Sequence, residues 1–460
     1  MTDPITTINP ATGEKLTDYP TMTTEVIEEV LDTAASAQKS WADVPVPERA
    51  EVLRGVADTL RQRGPELARL ATTEMGKPIT ESLAEVEKCA WVCEHYAEQA
   101  PTLLADRAVP ASGSRSWVSY EPMGVVLAIM PWNFPYWQVF RFAAPALMAG
   151  NAGLLKHSPN VTGTALAIEE VFTSAGLPAG LFRTLVVAEP DVPTVVADLV
   201  ADDRIAAVTL TGSNRAGSHV AAAAGKAAKK SVLELGGSDP FVILEDADLD
   251  TVVPKAVAGR FLNTGQSCLC AKRFIVHDSL LDEFARRFAD AVAQLPVGDP
   301  TADGTRIGPM ARADLAANIS AQVEQSVAQG AKVLTGGTAL DRGAAWYAPT
   351  VLTDVSVEMP VMAEETFGPV AAVIGFSTDE EAVELANDTP YGLGASVWSA
   401  DPHRALSIGR RISSGALFIN ANTASDPRLP FGGVKQSGYG RELGDAGATE
   451  FTNIRTVLIG

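Results

Sequence analysis

Between residues 23 and 107 apolar side chains recur three and four positions apart, as in Val26–Val30–Ala34–Ala37 and Leu53–Val56–Ala57–Leu60. That spacing lines one face of an α-helix. Pro45/Pro47, Gly64/Pro65 and Gly76/Pro78 punctuate the run and divide it into three or four helices. The polar, alternating stretch 113–120 suits an exposed hairpin strand. From Gly124 the texture changes: residues 125–130, 152–155, 182–187, 206–211 and 232–235 are short apolar runs separated by helical segments. Such a βαβα rhythm predicts an α/β fold, with a parallel sheet covered by helices. A second α/β block begins near Ser238, with strands predicted at 241–244, 273–276, 370–376, 395–398 and 416–419. The tail, 449–459, is again β-rich and alternating. It and residues 115–120 both need a partner sheet, which another subunit can supply.

The chain has 460 residues, 46 % of them hydrophobic, which allows two or three domains with more than one core. Lys and Arg number 36 against 56 Asp and Glu, a net charge of −20. That balance argues against nucleic acid as a partner, which calls for clustered positive charge, and against an anionic membrane surface. Residues 1–20 hold Asp3, Pro4, Pro10, Glu14 and Asp18 and no apolar run, unlike a secretory signal. The most apolar stretch, 123–155, is broken by Pro131, Pro135, Arg141, Pro145 and Asn151. A membrane helix needs about 20 uninterrupted apolar residues, so a buried core is expected there. Four cysteines, Cys89, Cys93, Cys268 and Cys270, come without paired Cys-x-x-Cys sets or His clusters, so no metal is expected. Cys89 and Cys93, one helical turn apart, read as reduced core residues, and the chain reads as cytoplasmic.

Two features carry candidate chemistry. Cys268 ends the polar, Gly-containing loop Asn263-Thr264-Gly265-Gln266-Ser267-Cys268. It is either a packed small hydrophobe or a nucleophile, since a reactive thiol needs partial exposure and nearby N–H groups. Glu234, in Glu234-Leu235-Gly236-Gly237, ends an apolar strand. It is either a solvated strand-end carboxylate or a desolvated one, whose raised pKa suits a general base near neutrality.

Together with Pro131-Trp132-Asn133-Phe134-Pro135, Glu364-Glu365-Thr366-Phe367-Gly368-Pro369 and Pro430-Phe431-Gly432-Gly433-Val434-Lys435-Gln436-Ser437-Gly438, these motifs make the chain resemble the aldehyde dehydrogenase superfamily over essentially its whole length. The resemblance implies that Cys268 attacks the aldehyde carbon to give a thiohemiacetal. The Asn133 amide and the Cys268 N–H would hold its oxyanion; losing one such donor costs about 3–4 kcal/mol of transition-state stabilisation. Hydride loss would leave a thioester, hydrolysed by water that Glu234 activates. Relatives that pass the acyl group to coenzyme A usually lack that glutamate, so its presence favours an acid product.

The usual Gly-x-Gly-x-x-Gly dinucleotide fingerprint is missing. Instead Thr211-Gly212-Ser213 opens a helix, whose N-terminal N–H groups suit a pyrophosphate. The resemblance implies that Trp132, Asn133 and Leu235 lie along the cofactor, that Glu365 holds the nicotinamide ribose, and that Phe367 sits beside the ring. Where relatives place a glutamate for the adenosine ribose, this chain has Pro159, in Lys156-His157-Ser158-Pro159. Nothing acidic at that position repels a 2′-phosphate, and Lys156 and Ser158 can donate to one. NADP⁺ is therefore expected ahead of NAD⁺.

Within the superfamily the short chain, Lys156-His157 and Glu234-Leu235-Gly236-Gly237-Ser238-Asp239-Pro240 resemble the bacterial succinate-semialdehyde dehydrogenases; a broad-specificity aldehyde dehydrogenase and a coenzyme-A-acylating one are the alternatives. A carboxylate-bearing substrate needs a cation. Arg141 is either that cation or part of a structural ion pair. Ser425 and Arg428 are expected at the mouth of the substrate tunnel, with Tyr136 and Trp137 walling it. Cys270 is either a packing residue or the partner of Cys268 in a strained, reversible disulfide. The expected layout is a Rossmann-type cofactor-binding domain (1–109 and 122–233), an α/β catalytic domain (234–424) and a small β oligomerisation element (110–121 and 425–460). The assembly expected from it is a homodimer or homotetramer.

Overall fold

The computed structural model describes residues 4–460 and places four helices, Thr24–Ala42, Val46–Gln62, Gly64–Met75 and Ile79–Leu103, across the first hundred residues. The Thr23 hydroxyl caps the first by accepting from the Val26 N–H. Pro47 and Pro65 sit in first turns, where the lost N–H has no intrahelical partner to forfeit. Gly76, at φ 80°, closes the third in the left-handed conformation that glycine adopts freely.

The first sheet has the order Gly438–Tyr439, Lys230–Glu234, Ile205–Thr211, Val125–Met130, Ala152–His157, Phe182–Thr184. All neighbours are parallel except the short Gly438–Tyr439 strand. The chain starts at the central Val125–Met130 strand, winds outward through two strands, then returns to fill the other side beginning with Ile205–Thr211. Where the winding reverses, the loops beyond the carboxyl ends of those two strands part and leave a crevice, the usual ligand position of an open α/β sheet. The sequence reading placed all five parallel strands; the third was expected to run to Val187 and stops at Thr184.

The second sheet has seven strands, ordered Lys332–Thr335, Thr350–Thr353, Val370–Phe376, Ala271–His277, Asp239–Ile243, Gly394–Trp398, Ala416–Ile419, and is parallel except at the Lys332–Thr335 edge. Only residues 235–238 separate the carboxyl end of Lys230–Glu234 from the amino end of Asp239–Ile243. The two sheets therefore meet carboxyl edge to amino edge at that crossing.

Residues 115–120 and the tail were each left wanting a partner, and they supply one another. Arg115–Pro122 and Thr452–Ile459 pair antiparallel from Arg115↔Ile459 to Pro122↔Thr452, with Arg107–Ala108 on the far side. The outer strand still exposes Ile454, Leu458 and Ile459 along an unpaired edge. An Ile5–Ile8/Lys15–Tyr19 hairpin was not anticipated. Among the described residues no helix is long and apolar enough to cross a membrane.

A buried ion pair orients the helix that follows the Pro131–Pro135 motif. Glu85 pairs with Lys77, both side chains being essentially inaccessible. Its Oε1 accepts the Tyr136 and Trp137 N–H groups, each at 2.9 Å, at the start of the Trp137–Met148 helix. Removing one member strands a buried charge. Lys77→Met is expected to destabilise the protein by about 3–5 kcal/mol, read as a fall in the urea midpoint.

Candidate active site

The loop carrying Cys268 folds back because three successive residues, Asn263 (φ 52°), Thr264 (φ 56°) and Gly265 (φ 74°), take left-handed backbone angles. For the two non-glycines that is costly, and the surroundings hold it. The Asn263 N–H donates to Glu81 (2.6 Å) and its side-chain amide to the Asn133 carbonyl (2.7 Å). Gly265 has no room for a Cβ, which would lie 2.2 Å from the Gly368 carbonyl. Buried Arg260 donates to the carbonyls of Gly265 (3.3 Å) and Thr366 (3.0 Å), tying this loop to the Glu365–Phe367 segment.

Cys268 is half-buried and lines a cavity of about 470 Å³ together with Lys88, Trp137, Arg141, Cys270 and Ser425. Burial pushes its thiol up to about 12, against the pull of Arg141 and Lys272. Asn133 is buried beside the loop, its amide donating to the Gln266 carbonyl at 3.2 Å. Glu234 is 2 % exposed, and neither oxygen has a hydrogen-bond partner among the described residues. Burial, reinforced by Glu442, raises its pKa well above the ordinary carboxyl value, while Arg141 and Arg441 oppose the shift. The desolvated alternative for Glu234 is thus the one realised.

Lys272 was not anticipated. Its buried ammonium donates to Glu365 (2.6 Å), to the Cys268 carbonyl (3.3 Å) and to the Gly237 carbonyl. Glu365 also accepts the Gly237 N–H at 3.0 Å. A lysine beside an arginine at the start of a buried central strand was the available signal. Trp132 and Phe367 meet edge to face, centroids 5.7 Å apart.

At the sheet's crevice Ser213 caps the Asn214–Lys226 helix by accepting from Ala216. The Gly212 N–H donates to the Glu234 carbonyl at 2.9 Å, so Gly212 itself offers no donor to a pyrophosphate. The N–H groups of the helix's first turn are the remaining donors suited to one. Leu235 packs against Gly217, where a Cβ would approach it to 2.5 Å. Lys156 is half-buried, and burial lowers its pKa. Ser158 donates to Asn160 at 2.7 Å, leaving the Asn160 amide nitrogen buried without a partner among the described residues. An ammonium, a hydroxyl and an orphan amide donor beside Pro159 form a donor set that fits a phosphate. Glu189 acts on Lys156 from across this wall, an acidic neighbour the sequence reading did not anticipate. His157 is buried and held neutral, its pKa pushed down to about 4 by burial; Nε2 binds the Pro135 carbonyl at 2.9 Å.

Two expected tunnel residues lie elsewhere. Tyr136 is fully buried, its hydroxyl donating to the Leu67 carbonyl (2.9 Å), because adjacent residues at a helix start point in different directions and Trp137 takes the cavity side. Arg428 is exposed, paired with Asp426 (2.6 Å) and stacked on Trp91, outside the cavity. Arg141 realises its structural reading, pairing with buried Glu442 and donating to Thr211 at 3.2 Å, and it also lines the cavity. Cys270 is a buried free thiol, 3.9 Å from the Leu262 carbonyl.

Residues 1–457 match the aldehyde dehydrogenase family, and the chain belongs to it. It is 52 % identical to the "Probable succinate-semialdehyde dehydrogenase [NADP(+)]" of Synechocystis, over 99 % of each chain. It is 48 % identical to the Escherichia coli "Succinate semialdehyde dehydrogenase [NAD(P)+] Sad", over 98 % of this chain and 96 % of that one. Among solved structures, the succinic semialdehyde dehydrogenase of Streptococcus pyogenes in complex with NADP⁺ superposes with a TM-score of 0.95 at 37 % identity, covering 99 % of both chains.

A thiol shifted to about 12 is almost entirely protonated at neutral pH. Alkylation of Cys268 by iodoacetamide in the free protein is expected to rise about tenfold per pH unit from pH 7 to pH 10 without levelling off. A plateau near pH 8, followed by mass spectrometry of the Cys268 peptide, would contradict the burial argument.

Proposed function

We propose that this chain oxidises succinate semialdehyde to succinate, taking NADP⁺ in preference to NAD⁺. The observation that carries this reading is a half-buried cysteine opening into a cavity that also presents Lys88 and Arg141. A carboxylate-bearing aldehyde answers that charge; a purely apolar one does not.

The Cys268 sulfur, once deprotonated, forms a bond to the aldehyde carbon, and the carbonyl oxygen becomes an oxyanion. The Asn133 amide, turned from Gln266, and the Cys268 N–H donate to it. The nicotinamide, when bound, accepts the hydride that leaves this carbon. The acyl group is then a thioester on Cys268. Glu234 takes a proton from water, the oxygen attacks the thioester carbonyl, and the C–S bond breaks to return the thiolate. A carboxyl without hydrogen-bond partners in a dry site is a stronger base than one in water, which suits this step.

Lys156, Ser158 and Pro159 would hold the adenosine end of the cofactor, with the ammonium and hydroxyl toward a 2′-phosphate. The Gly212–Ser213 turn and Leu235 flank the middle. Trp132, Glu365 and Phe367 bound the nicotinamide end. The first sheet with its helices serves as the cofactor domain, the second as the catalytic domain, and the small sheet as the oligomerisation element. The exposed edge of Thr452–Ile459 supports a homodimer or homotetramer. We place the protein in the cytoplasm, where free thiols stay reduced.

Absorbance at 340 nm is expected to rise with succinate semialdehyde and NADP⁺ without coenzyme A, and more slowly with NAD⁺. Strict dependence on coenzyme A would favour an acylating enzyme instead. Glu234→Gln is expected to give a burst of about one NADPH per site followed by a steady rate at least about 100-fold below wild type, because hydrolysis stalls. Peroxide inactivation reversible by thiol in wild type but not in Cys270→Ala is the outcome expected of a Cys268–Cys270 disulfide.

A further inference from the structure

The cavity beside Cys268 is lined by three cations, Lys88, Arg141 and the solvent-exposed Arg306, and the two buried or half-buried ones differ in what answers them. Arg141 is committed: it pairs with buried Glu442, donates to Thr211 and lies 4.6 Å over the Phe431 ring. Lys88, on the Ile79–Leu103 helix, forms no ion pair among the described residues. Its ammonium is half-buried, 4.2 Å over the Trp137 ring, and donates to the Ser425 hydroxyl at 2.8 Å. Both of those partners line the same cavity.

The carboxylates in reach are engaged elsewhere. Glu85, one turn away on the same helix, is held by Lys77 and by two helix N–H groups. Glu81 accepts from Asn263. Asp426, from the loop after Ser425, pairs with Arg428. A half-buried cation without a counter-anion among the described residues, in the cavity of the nucleophile, is a charge awaiting an anion.

We propose that Lys88, steered by Ser425 and Trp137, is the specificity-determining residue that holds the carboxylate of the substrate, with Arg141 as the fixed charge behind it. This assignment rests on the substrate reading above. It adds something an arginine does not supply, because Lys88 titrates within the working range. Burial and the facing Arg141 lower its pKa to about 8, opposed by Cys89, Asp426 and Glu85. The lysine is charged below that pH and lost as an anion partner above it.

The test compares kcat/KM for succinate semialdehyde with kcat/KM for butanal, so that steps shared by both substrates cancel. In wild type the ratio is expected to be high and level up to about pH 7.5, then to fall above about pH 8. In Lys88→Met it should be at least about tenfold lower at pH 7, through KM, and independent of pH. Lys88→Arg should restore the ratio in part and remove its fall at high pH, and turnover of butanal reports that each variant is folded. A high wild-type ratio retained by Lys88→Met overturns this assignment alone. A wild-type ratio near one overturns the substrate reading and this assignment with it.

Discussion

Everything chemical in this molecule converges on the short crossing between its two sheets, and that crossing works only because Gly236 and Gly237 have no side chains. A Cβ on Gly236 would lie 2.6 Å from a Glu365 oxygen, and one on Gly237 would lie 2.8 Å from the Cys268 carbonyl. Stripped to backbone, the segment becomes a hub. Its Gly237 N–H and carbonyl bind Glu365 and Lys272, and its Gly236 carbonyl accepts from the Ser437 hydroxyl. The Cys268 loop, Glu365 and the C-terminal Pro-Phe-Gly-Gly segment are thereby indexed to a single strand end. Positions set by backbone are stiffer than positions set by long side chains, which is what a reaction needing sub-ångström placement requires.

The groups around this seam are buried, and that burial explains their electrostatics. Burial drives Cys268 and Glu234 toward their neutral forms and Lys88 toward the amine. In the mechanism proposed above, the partner each group lacks is a reactant: the aldehyde for the thiol, water for the carboxyl, a substrate anion for the ammonium. Structural ionic groups nearby, such as Lys77–Glu85 and Arg141–Glu442, are matched within the protein. The contrast between matched and unmatched buried charge separates the groups that hold the site from those that act in it.

Much of this was legible in the sequence because it is local. Apolar runs bounded by glycine and proline located the parallel strands, and the motifs around Cys268, Glu234 and Asn133 lie at strand ends or in loops. What escaped was set by distant contacts. Nothing near Arg115 announces that Ile459 pairs with it, so both strands looked partnerless. Tyr136 and Trp137 are equivalent in composition, and only the angle at which their helix docks sends one inward and the other to the cavity. Lys272 lies just outside the strand expected at 273–276, and nothing in the sequence around Lys88 sets it apart from the other polar positions of its helix. Arg428 was legible as a charge near the right motif, but Asp426, two residues away, turns it outward.

The chain's last twenty-odd residues close structures that begin more than two hundred or three hundred residues earlier. Gly438–Tyr439 edges the first sheet against Glu234, Glu442 reaches Arg141, and Thr452–Ile459 zips onto Arg115–Pro122. During synthesis these residues are still inside the ribosome when the first sheet and most of the second have already emerged. The nascent protein must therefore wait with an open sheet edge and an unneutralised arginine until these residues emerge, a long-range closure of the kind that slows folding and invites association. Assembly of the site is thus gated by contacts that span most of the chain, so its last-made pieces set when the earlier ones become ordered.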